Sequence, residues 1–276
     1  MMIGYLGPKS SFTYQATTSL FPNDAIQAFH SIPLCLESLA NGEIESAIVP
    51  IENSLEGSVH TSMDYLFKSQ GLTVTKEIIL PIKQQLMGTA TTPAMILSHP
   101  QALAQSQHFL TTHYPHVTLK ETPSTTYAAE YVATHPNEAL LAIASKEAAE
   151  AFALPIIAKD IQDNDQNQTR FWLIQKESIT LKNTEPAQKL TLFVTLPQNQ
   201  AGALHQILAV FAWRNIDLTK IESRPLKTSL GQYYFVIDIV VEQKEWVHYA
   251  LEEIKLLGAT IKPFGPYSIL KATETL

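Results

Sequence analysis

Short apolar runs alternate with amphipathic stretches over residues 1–176, which is the pattern of strands followed by helices. Strands are predicted at Ile3–Gly7, Ala25–Phe29, Ser46–Ile51, Thr73–Ile79, Ala94–Ser98, Val117–Glu121, Leu140–Ala144 and Phe171–Gln175. Helical periodicity lies between them, for example at Ser58–Lys68, Pro100–Thr112 and Ser124–Thr134. This alternation predicts an α/β fold with a mainly parallel sheet. The strands form two clusters, divided near Pro81 and again near Lys159, which predicts two lobes with a cleft between them.

A different pattern begins after the polar segment Asn183–Gln188, which contains a proline, lacks apolar periodicity and is predicted to be a linker. The elements predicted beyond it are, in order, Leu190–Leu196, Gly202–Arg214, Leu218–Ser223, Tyr233–Val241, Lys244–Leu257 and Ala259–Pro263. The second and fifth are helices and the others are strands. This βαββαβ order is typical of a ferredoxin-like unit.

Composition places the chain among globular proteins, because 276 residues with 45% apolar content can bury a substantial core and form two domains. No apolar run approaches the roughly 20 residues that span a bilayer, and no secretory signal is recognised at Met1–Tyr5. The single cysteine, Cys35, fits a reducing compartment, so a cytoplasmic location is expected. The net charge of −7 argues against nucleic acid or a membrane as partner. An acidic substrate would need a local basic or hydrogen-bond-donating pocket.

The strand predicted at Ser46–Ile51 runs directly into Glu52, Asn53 and Ser54. Ligands of open α/β sheets collect at the carboxyl ends of the strands, which is where this carboxylate, amide and hydroxyl fall. A purely structural interpretation is equally open. Asn53 and Ser54 would then shape a turn, and Ser58 would cap the following helix.

Three further segments have candidate chemistry. Ser98 ends a predicted strand and Pro100 opens a helix whose N-terminus could hold an anion, although Ser98 could equally be a cap. The polar residues 161–170 precede the strand at Phe171 and are more readily interpreted as a solvated loop. The glycine turn in Gly4–Thr13 matches neither the dinucleotide-binding nor the Walker pattern, so nucleotide binding is a poor interpretation.

Metal and nucleophile chemistry find little support in the sequence. His108, His113 and His116 straddle a predicted helix end without a nearby acidic partner, and Cys35 is interpreted as a core residue. No G-x-S-x-G element is present. We therefore expect neither a metal nor a cofactor.

Taken in order, these motifs resemble those of the prephenate dehydratase family. The matching segments are Ser11–Thr13, Val49–Val59, Ser98–Gln105, Ile161–Phe171, Gly202–Leu204 and Glu222–Pro225. The last two match the ACT regulatory domain that follows the catalytic part in that family. Two positions depart from the family pattern: Ser10 stands where glycine is usual, and Ala201 stands where many ACT domains have proline.

The resemblance implies a fold, an activity and partners. Residues 1–180 should form a catalytic domain of two lobes, like a periplasmic-type binding protein, with the second lobe at about 80–158, and residues 189–276 should form the ACT domain. The implied reaction is the cofactor-free decarboxylating dehydration of prephenate to phenylpyruvate in L-phenylalanine biosynthesis. L-Phenylalanine is the implied effector, and the implied assembly is a homodimer or homotetramer.

Thr169 is, by the same resemblance, the central catalytic residue. A threonine hydroxyl is a very weak acid, so it is expected to act as an oriented hydrogen-bond donor. Glu52 is expected to hold a proton near the dianionic substrate and to assist departure of the hydroxyl beside Thr169. Arg170 could bind a substrate carboxylate or, equally, form an ion pair that holds Thr169 in place.

Substrate contacts are expected mainly from neutral donors, because a tight ion pair to the ring carboxylate would stabilise the ground state that must decarboxylate. The expected substrate contacts are Thr13, Asn53, Ser54, Ser98, Gln105, Ser124, Thr125, Arg170 and Phe171. The expected effector contacts are Asn199, Gly202, Ala203, Leu204, Glu222, Ser223 and Arg224. The alternative for Glu222 and Arg224 is a salt bridge at an interface.

Two other functions stay open. Arogenate dehydratase differs only in an amine that replaces the side-chain keto oxygen of the substrate. A non-catalytic amino-acid sensor would combine the binding-protein fold with an ACT domain, but the intact Glu52 and Thr169 argue against it. A fusion to chorismate mutase is not expected, because the catalytic pattern begins at residue 3.

Overall fold

The computed structural model describes residues 1–177, 186–196, 201–227 and 232–272, and the following bounds refer to these residues. The strands are β1 (Met2–Leu6), β2 (Ala25–Phe29), β3 (Ser46–Asn53), β4 (Gly57–Ser58), β5 (Leu72–Pro81), β6 (Gln85–Met87), β7 (Met95–Ser98), β8 (Thr118–Glu121), β9 (Leu140–Ala144), β10 (Ile156–Ala158), β11 (Gln168–Lys176), β12 (Lys189–Thr195), β13 (Leu218–Pro225), β14 (Tyr233–Val240) and β15 (Thr260–Lys271). The helices are α1 (Phe12–Leu20), α2 (Ile32–Asn41), α3 (His60–Lys68), α4 (Pro100–Ala104), α5 (Gln107–His113), α6 (Thr125–Thr134), α7 (Lys146–Ala151), α8 (Ala203–Ala212) and α9 (Lys244–Leu256).

Contacts within the chain divide the structure into two units. Unit 1 contains Met1–Ser62, Ile78–Phe171 and residues 271–272, whereas unit 2 contains Met63–Glu77 and Trp172–Leu270. The segment Met63–Glu77 therefore packs with the C-terminal part of the chain, although it directly follows the first predicted motif.

The first lobe of unit 1 is built around β1, which pairs in parallel with β2 and with β3. Its helices begin at side-chain caps: Ser11 Oγ accepts from the N–H of Tyr14 in α1, and Ser31 Oγ accepts from the N–H of Leu34 in α2. Helix α2 ends at Gly42, whose left-handed backbone suits a residue without a side chain.

The second lobe of unit 1 has its own five-stranded sheet in the order β10-β6-β9-β7-β8. Strand β9 is buried along its whole length and pairs in parallel with β7 and antiparallel with β6. The two α/β lobes confirm the two-lobed architecture expected for the first part of the chain.

The helix predicted over Pro100–Thr112 is in fact two helices, α4 and α5. Asp163 lies against the break, where its N–H donates to the main-chain oxygen of Gln105 and its carboxylate accepts from the N–H of His108. Because these groups come from far along the chain, helical periodicity alone did not reveal the interruption.

Unit 2 contains the predicted βαββαβ order, formed by β12, α8, β13, β14, α9 and β15, which confirms the ferredoxin-like fold. Its sheet runs β13-β14-β12-β15-β5-β11. Helices α8 and α9 share one core with the sheet, to which β12 contributes Leu192 and Val194. The last strand extends past the predicted end at Pro263 to Lys271, because pairing with β12 continues to Tyr267 beyond a register shift.

Segment Met63–Glu77 contributes to the opposite face of β12. The side chain of Phe193 faces away from Leu192 and Val194, as strand alternation requires, and packs edge-on against Phe67 of α3 at 5.9 Å. The ammonium of Lys262 donates to the main-chain oxygens of Leu66, Phe67 and Ser69 at the end of α3. Unit 2 thus anchors this helix by aromatic packing and by a cation at the negative end of its dipole.

Within the ranges given above, no helix has the length and apolar content needed to cross a bilayer.

Candidate active site

A cavity of about 340 Å³ lies between the two lobes of unit 1. Its wall from the first lobe includes Ser11, Thr13, Asn53, Thr169 and Phe171. Its wall from the second lobe includes His99, Gln101, Gln105, Ser124 and Thr125. The structure therefore brings together Thr13, Asn53, Gln105, Ser124, Thr125, Thr169 and Phe171, which were all predicted as site residues from the sequence.

The first residues of three helices line this cavity. Thr13 belongs to the first turn of α1, Gln101 to that of α4, and Thr125 opens α6. Ser124 caps α6 by accepting a hydrogen bond from the N–H of Tyr127. Free N–H groups at helix starts attract anions.

The described residues that line the cavity include no Lys, Arg, Asp or Glu. An anionic ligand would therefore be held by neutral donors and helix N-termini, not by full positive charges. Such a site resolves the conflict between an acidic substrate and the net charge of −7.

Thr169 and Asn53 meet at the cavity wall, delivered by β11 and β3. Asn53 Nδ2 donates to Thr169 Oγ1 at 3.0 Å. Asn53 Oδ1 accepts from the backbone N–H groups of Leu55 and Glu56, so the same residue also shapes the turn that follows β3. The oxygen of Asn53 therefore holds the turn, as the structural interpretation predicted, while its nitrogen bonds to Thr169 at the cavity wall.

The hydroxyl of Ser54 bonds to the main chain, which gives this residue a structural role. Its hydroxyl accepts from the N–H of Gln168 at 3.0 Å and donates to the main-chain oxygen of Gln166 at 3.3 Å, which ties the turn to β11. Ser54 is not among the described residues that line the cavity. Ser58, which was offered as a helix cap, lies in β4, two residues before α3 begins at His60.

Glu52 and Arg170 form an ion pair in which Arg170 Nη1 lies 2.5 Å from Glu52 Oε2. Both side chains are largely buried, at 24% and 15% exposure respectively, and neither is among the described cavity-lining residues. The guanidinium of Arg170 donates this short, charge-assisted hydrogen bond to the carboxylate oxygen of Glu52. This geometry matches the predicted alternative in which Arg170 forms a structural ion pair next to Thr169.

Ser98 is fully buried and points into the second lobe, where its hydroxyl donates to the main-chain oxygen of Ile143 at 2.6 Å. The cap of α4 is His99, whose Nδ1 accepts from the N–H of Gln101 at 3.3 Å. The predicted cap at Ser98 is therefore wrong. Ser98 is also outside the cavity lining, because its hydroxyl joins β7 to β9.

Residues 161–170 are not simply a solvated loop. Gln162 and Asn167 are buried, and Gln162 Oε1 accepts from the N–H of Gln84 at 2.9 Å. Asn167 lines the cavity and donates from Nδ2 to Gln105 Oε1 at 3.0 Å. No role was predicted for Asn167, His99 or Gln101, although all three lie inside the segments that matched the family pattern.

The predicted effector residues lie in unit 2, apart from Asn199, which is outside the described residues. Gly202 has φ +85° and precedes α8, which Ala203 and Leu204 open. Arg224 is buried at 4% exposure and bonds to Glu222 at 3.2 Å and to Asp64 of α3 at 2.7 Å. Ser223 is exposed, so alternation along β13 separates it from Glu222 and Arg224.

A strong electrostatic network surrounds Asp64. Burial by itself would raise the pKa of Asp64, but hydrogen bonds from Lys227, Arg224 and Tyr234 outweigh burial and lower this pKa to about 2. The pKa of Tyr234 is raised, mainly by burial. The predicted pair Glu222–Arg224 is therefore part of a larger cluster inside one chain.

A second cavity, of about 520 Å³, is lined by Lys83, Lys146 and Lys159 together with Glu147 and Asp160. It contains none of the predicted site residues, so the smaller cavity is the better candidate. Across the described ranges, no cluster of three or more His, Cys, Asp or Glu side chains could hold a metal ion.

The fold and the site together define a two-lobed α/β protein with a donor-lined cleft for an anionic ligand, joined to a ferredoxin-like unit. The chain belongs to the prephenate dehydratase family, whose family model matches residues 3–179. Prephenate dehydratase of Lactococcus lactis subsp. lactis is 44% identical over 278 aligned residues, which cover 99% of this chain and 100% of that protein. The Bacillus subtilis prephenate dehydratase is 40% identical and covers 97% of this chain and 98% of its own length.

Solved structures agree with this assignment. The structure of prephenate dehydratase from Arthrobacter aurescens in complex with L-Phe superimposes with a TM-score of 0.85 at 28% sequence identity. The alignment covers 97% of this chain and 90% of that chain.

Proposed function

We propose that this protein converts prephenate to phenylpyruvate as a step of L-phenylalanine biosynthesis. The observation that carries the proposal is the Asn53–Thr169 hydrogen bond of 3.0 Å at the wall of a cavity with neutral lining. Family membership supports the same activity. The reaction is expected to take place in the cytoplasm.

The reaction converts the prephenate dianion and one proton into phenylpyruvate, carbon dioxide and water. The bond from the ring to its carboxylate breaks, and its electron pair enters the ring. The bond from the ring to its hydroxyl breaks at the opposite carbon, and the hydroxyl leaves as water after it takes up the proton. Because the ring becomes aromatic, the catalyst needs only to assist departure of the hydroxyl and to hold the substrate.

Thr169 is the residue proposed to assist that departure. Its Oγ1 accepts a hydrogen bond from Asn53, which leaves the hydroxyl hydrogen available to the substrate. Donors aimed at an oxygen that gains negative charge stabilise the transition state more than the ground state. The neutral lining avoids an ion pair that would hold the ring carboxylate in place.

Glu52 is proposed to act as a positioning residue through its ion pair with Arg170, and not as the proton donor expected from the sequence. The substitution Glu52→Gln should then lower kcat while the pH dependence of kcat/KM keeps its shape. Steady-state rates across pH for both proteins measure this. If one limb of the pH profile of kcat/KM disappeared in the variant, Glu52 would be the proton donor after all.

The C-terminal region, residues 189–276, is proposed to bind L-phenylalanine and to regulate a catalytic region at residues 1–180. The βαββαβ order and the turn at Gly202 before α8 support this, since the first N–H groups of a helix attract a carboxylate. The complex of the Arthrobacter relative with L-Phe points in the same direction. A homodimer or homotetramer is the proposed assembly.

Turnover assays on the purified protein test the proposed function. Phenylpyruvate should form from prephenate, with a kcat/KM higher than that for conversion of arogenate to phenylalanine, and added L-phenylalanine should change the rate. A preference for arogenate would identify an arogenate dehydratase. Binding of phenylalanine without turnover of either substrate would identify a sensor and overturn the proposed activity.

A further inference from the structure

Asn167 lies at the centre of a chain of side-chain amides along the cavity wall. It is only 1% exposed. Its Oδ1 accepts a hydrogen bond of 2.8 Å from Asn53 Nδ2, and its Nδ2 donates one of 3.0 Å to Gln105 Oε1. Asn167 therefore joins the strand end that presents Asn53 in the first lobe to the helix end that presents Gln105 in the second.

Two backbone groups fix the direction of every hydrogen bond in this chain of amides. The N–H groups of Leu55 and Glu56 donate to Asn53 Oδ1 at 3.0 and 3.3 Å, and a backbone N–H can only donate. The other end of the Asn53 amide must therefore be its nitrogen. The same constraint makes Oδ1 of Asn167 the acceptor from Asn53 and makes Oε1 of Gln105 the acceptor from Asn167.

The nitrogen of Gln105 is the free end of this chain. Gln105 lines the cavity, and its Nε2 is enclosed without a hydrogen-bond partner among the described residues. A buried N–H group without an acceptor is energetically unfavourable, and an acceptor on a bound ligand would remove this cost. The arrangement thus holds a donor ready for an oxygen-rich substrate.

We infer that Asn167 is a positioning residue that orients the amide of Gln105 so that its N–H faces prephenate, while Asn53 keeps the hydroxyl of Thr169 available. The inference rests on the proposed function, because the acceptors are the oxygen atoms of that substrate. Both polar atoms of the Asn167 side chain bond to other side chains, so Asn167 acts through its neighbours.

The substitution Asn167→Asp tests this inference with almost no change of shape. One carboxylate oxygen still accepts from Asn53, but the other faces Gln105 Oε1, and two acceptors repel each other. Gln105 should turn its amide so that Nε2 donates to the carboxylate and Oε1 replaces the donor that prephenate needs. KM for prephenate should rise about tenfold, with a smaller change in kcat.

A double-mutant cycle with Gln105→Ala separates this effect from a general disturbance. If Asn167 acts through Gln105, the KM of the variant with both substitutions should be no higher than the KM of the more impaired single variant. Asn164→Asp is the control for the added charge, because Asn164 lies in the same loop at an exposed position and its oxygen can still accept from the N–H of Gln166. This control should leave KM nearly unchanged.

An unchanged KM in Asn167→Asp, or effects that simply multiply in the double variant, would overturn the inference. If the aspartate variant does not fold, Asn167→Ala is measured in the same cycle with the same criteria. Absence of turnover in the wild type would overturn the proposed function instead, and the cycle would then be run on the affinity for prephenate by calorimetry. Independent effects on that affinity would still reject the role of Asn167.

Discussion

Replacement of Thr169 by valine is expected to reduce kcat for prephenate by about 10²–10³-fold, the effect typical of the loss of one oriented donor at a reacting oxygen. Valine keeps the branched shape that suits β11 but lacks the hydroxyl that Asn53 holds at 3.0 Å. The remaining cavity is unchanged, so KM should change much less than kcat. Steady-state kinetics with prephenate measure both constants.

Thr169→Ser is the matched control, because serine restores a hydroxyl at the same position and should recover most of the lost rate. The free energy of unfolding should fall by about 1 kcal/mol in the valine variant, since Asn53 loses one hydrogen-bond partner. A valine variant that retained a tenth or more of the wild-type kcat would show that the hydroxyl is not the donor. Equal losses of kcat in the serine and valine variants would mean that the packing of the threonine side chain, and not its hydroxyl, is needed for the rate.

The substitution Arg224→Met is expected to lower the free energy of unfolding by about 3 kcal/mol, the cost typical of removing one partner of a buried ion pair. Arg224 is 4% exposed and bonds to Asp64, Glu222 and Tyr234. Methionine fills similar space but leaves the carboxylates of Asp64 and Glu222 without this guanidinium. Urea unfolding at neutral pH measures the difference, and Lys255→Met, at an exposed pair with Glu252, is the control.

The same cluster makes stability depend on pH. The pKa of Asp64 is about 2 in the folded protein against an ordinary value of 3.8. Because the folded state binds this proton more weakly than the unfolded chain, the stabilisation is present above the ordinary pKa and is lost as the pH falls towards the folded pKa. It amounts to about 2 kcal/mol in total, of which about 1 kcal/mol is lost by pH 3.

Asp64→Asn should remove this part of the pH dependence. Between pH 5 and pH 3, the wild type is expected to lose about 1 kcal/mol more than the variant in urea unfolding. Parallel curves for the two proteins over that range would mean that Asp64 titrates normally.

For Arg224→Met, a loss well below 1 kcal/mol in the free energy of unfolding would mean that the cluster does not stabilise unit 2.

Much of the fold could be predicted from the sequence because the relevant signals are local. The alternation along β12 places Leu192 and Val194 on the face that α8 and α9 cover, and this pattern is visible in the residues themselves. The start of α6 at Ser124 was also predictable, because a serine before an amphipathic run is a typical cap. The break between α4 and α5 was not, since it is marked by Asp163, far along the chain.

The candidate site was predictable in part. The motifs that contain Asn53, Gln105 and Thr169 can be recognised in the sequence, and the structure brings these residues to one cavity. The motif pattern did not separate residues that face the cavity from residues that support it. Ser98 and Ser54 match the family pattern as well as Gln105 does, yet their hydroxyls bond to the main chain of Ile143 and of Gln166.

The sequence by itself determined the order of strands and helices, the family, and the residue types that the reaction requires, because backbone periodicity and short motifs are local properties. Only the tertiary structure decided that Glu52 pairs with Arg170, that Asn167 connects Asn53 to Gln105, and that Arg224 meets Asp64. These contacts join residues more than a hundred positions apart in the case of Glu52, Asn53 and Asp64. Which polar groups meet at such distances depends on how the elements pack, and packing is a property of the whole fold.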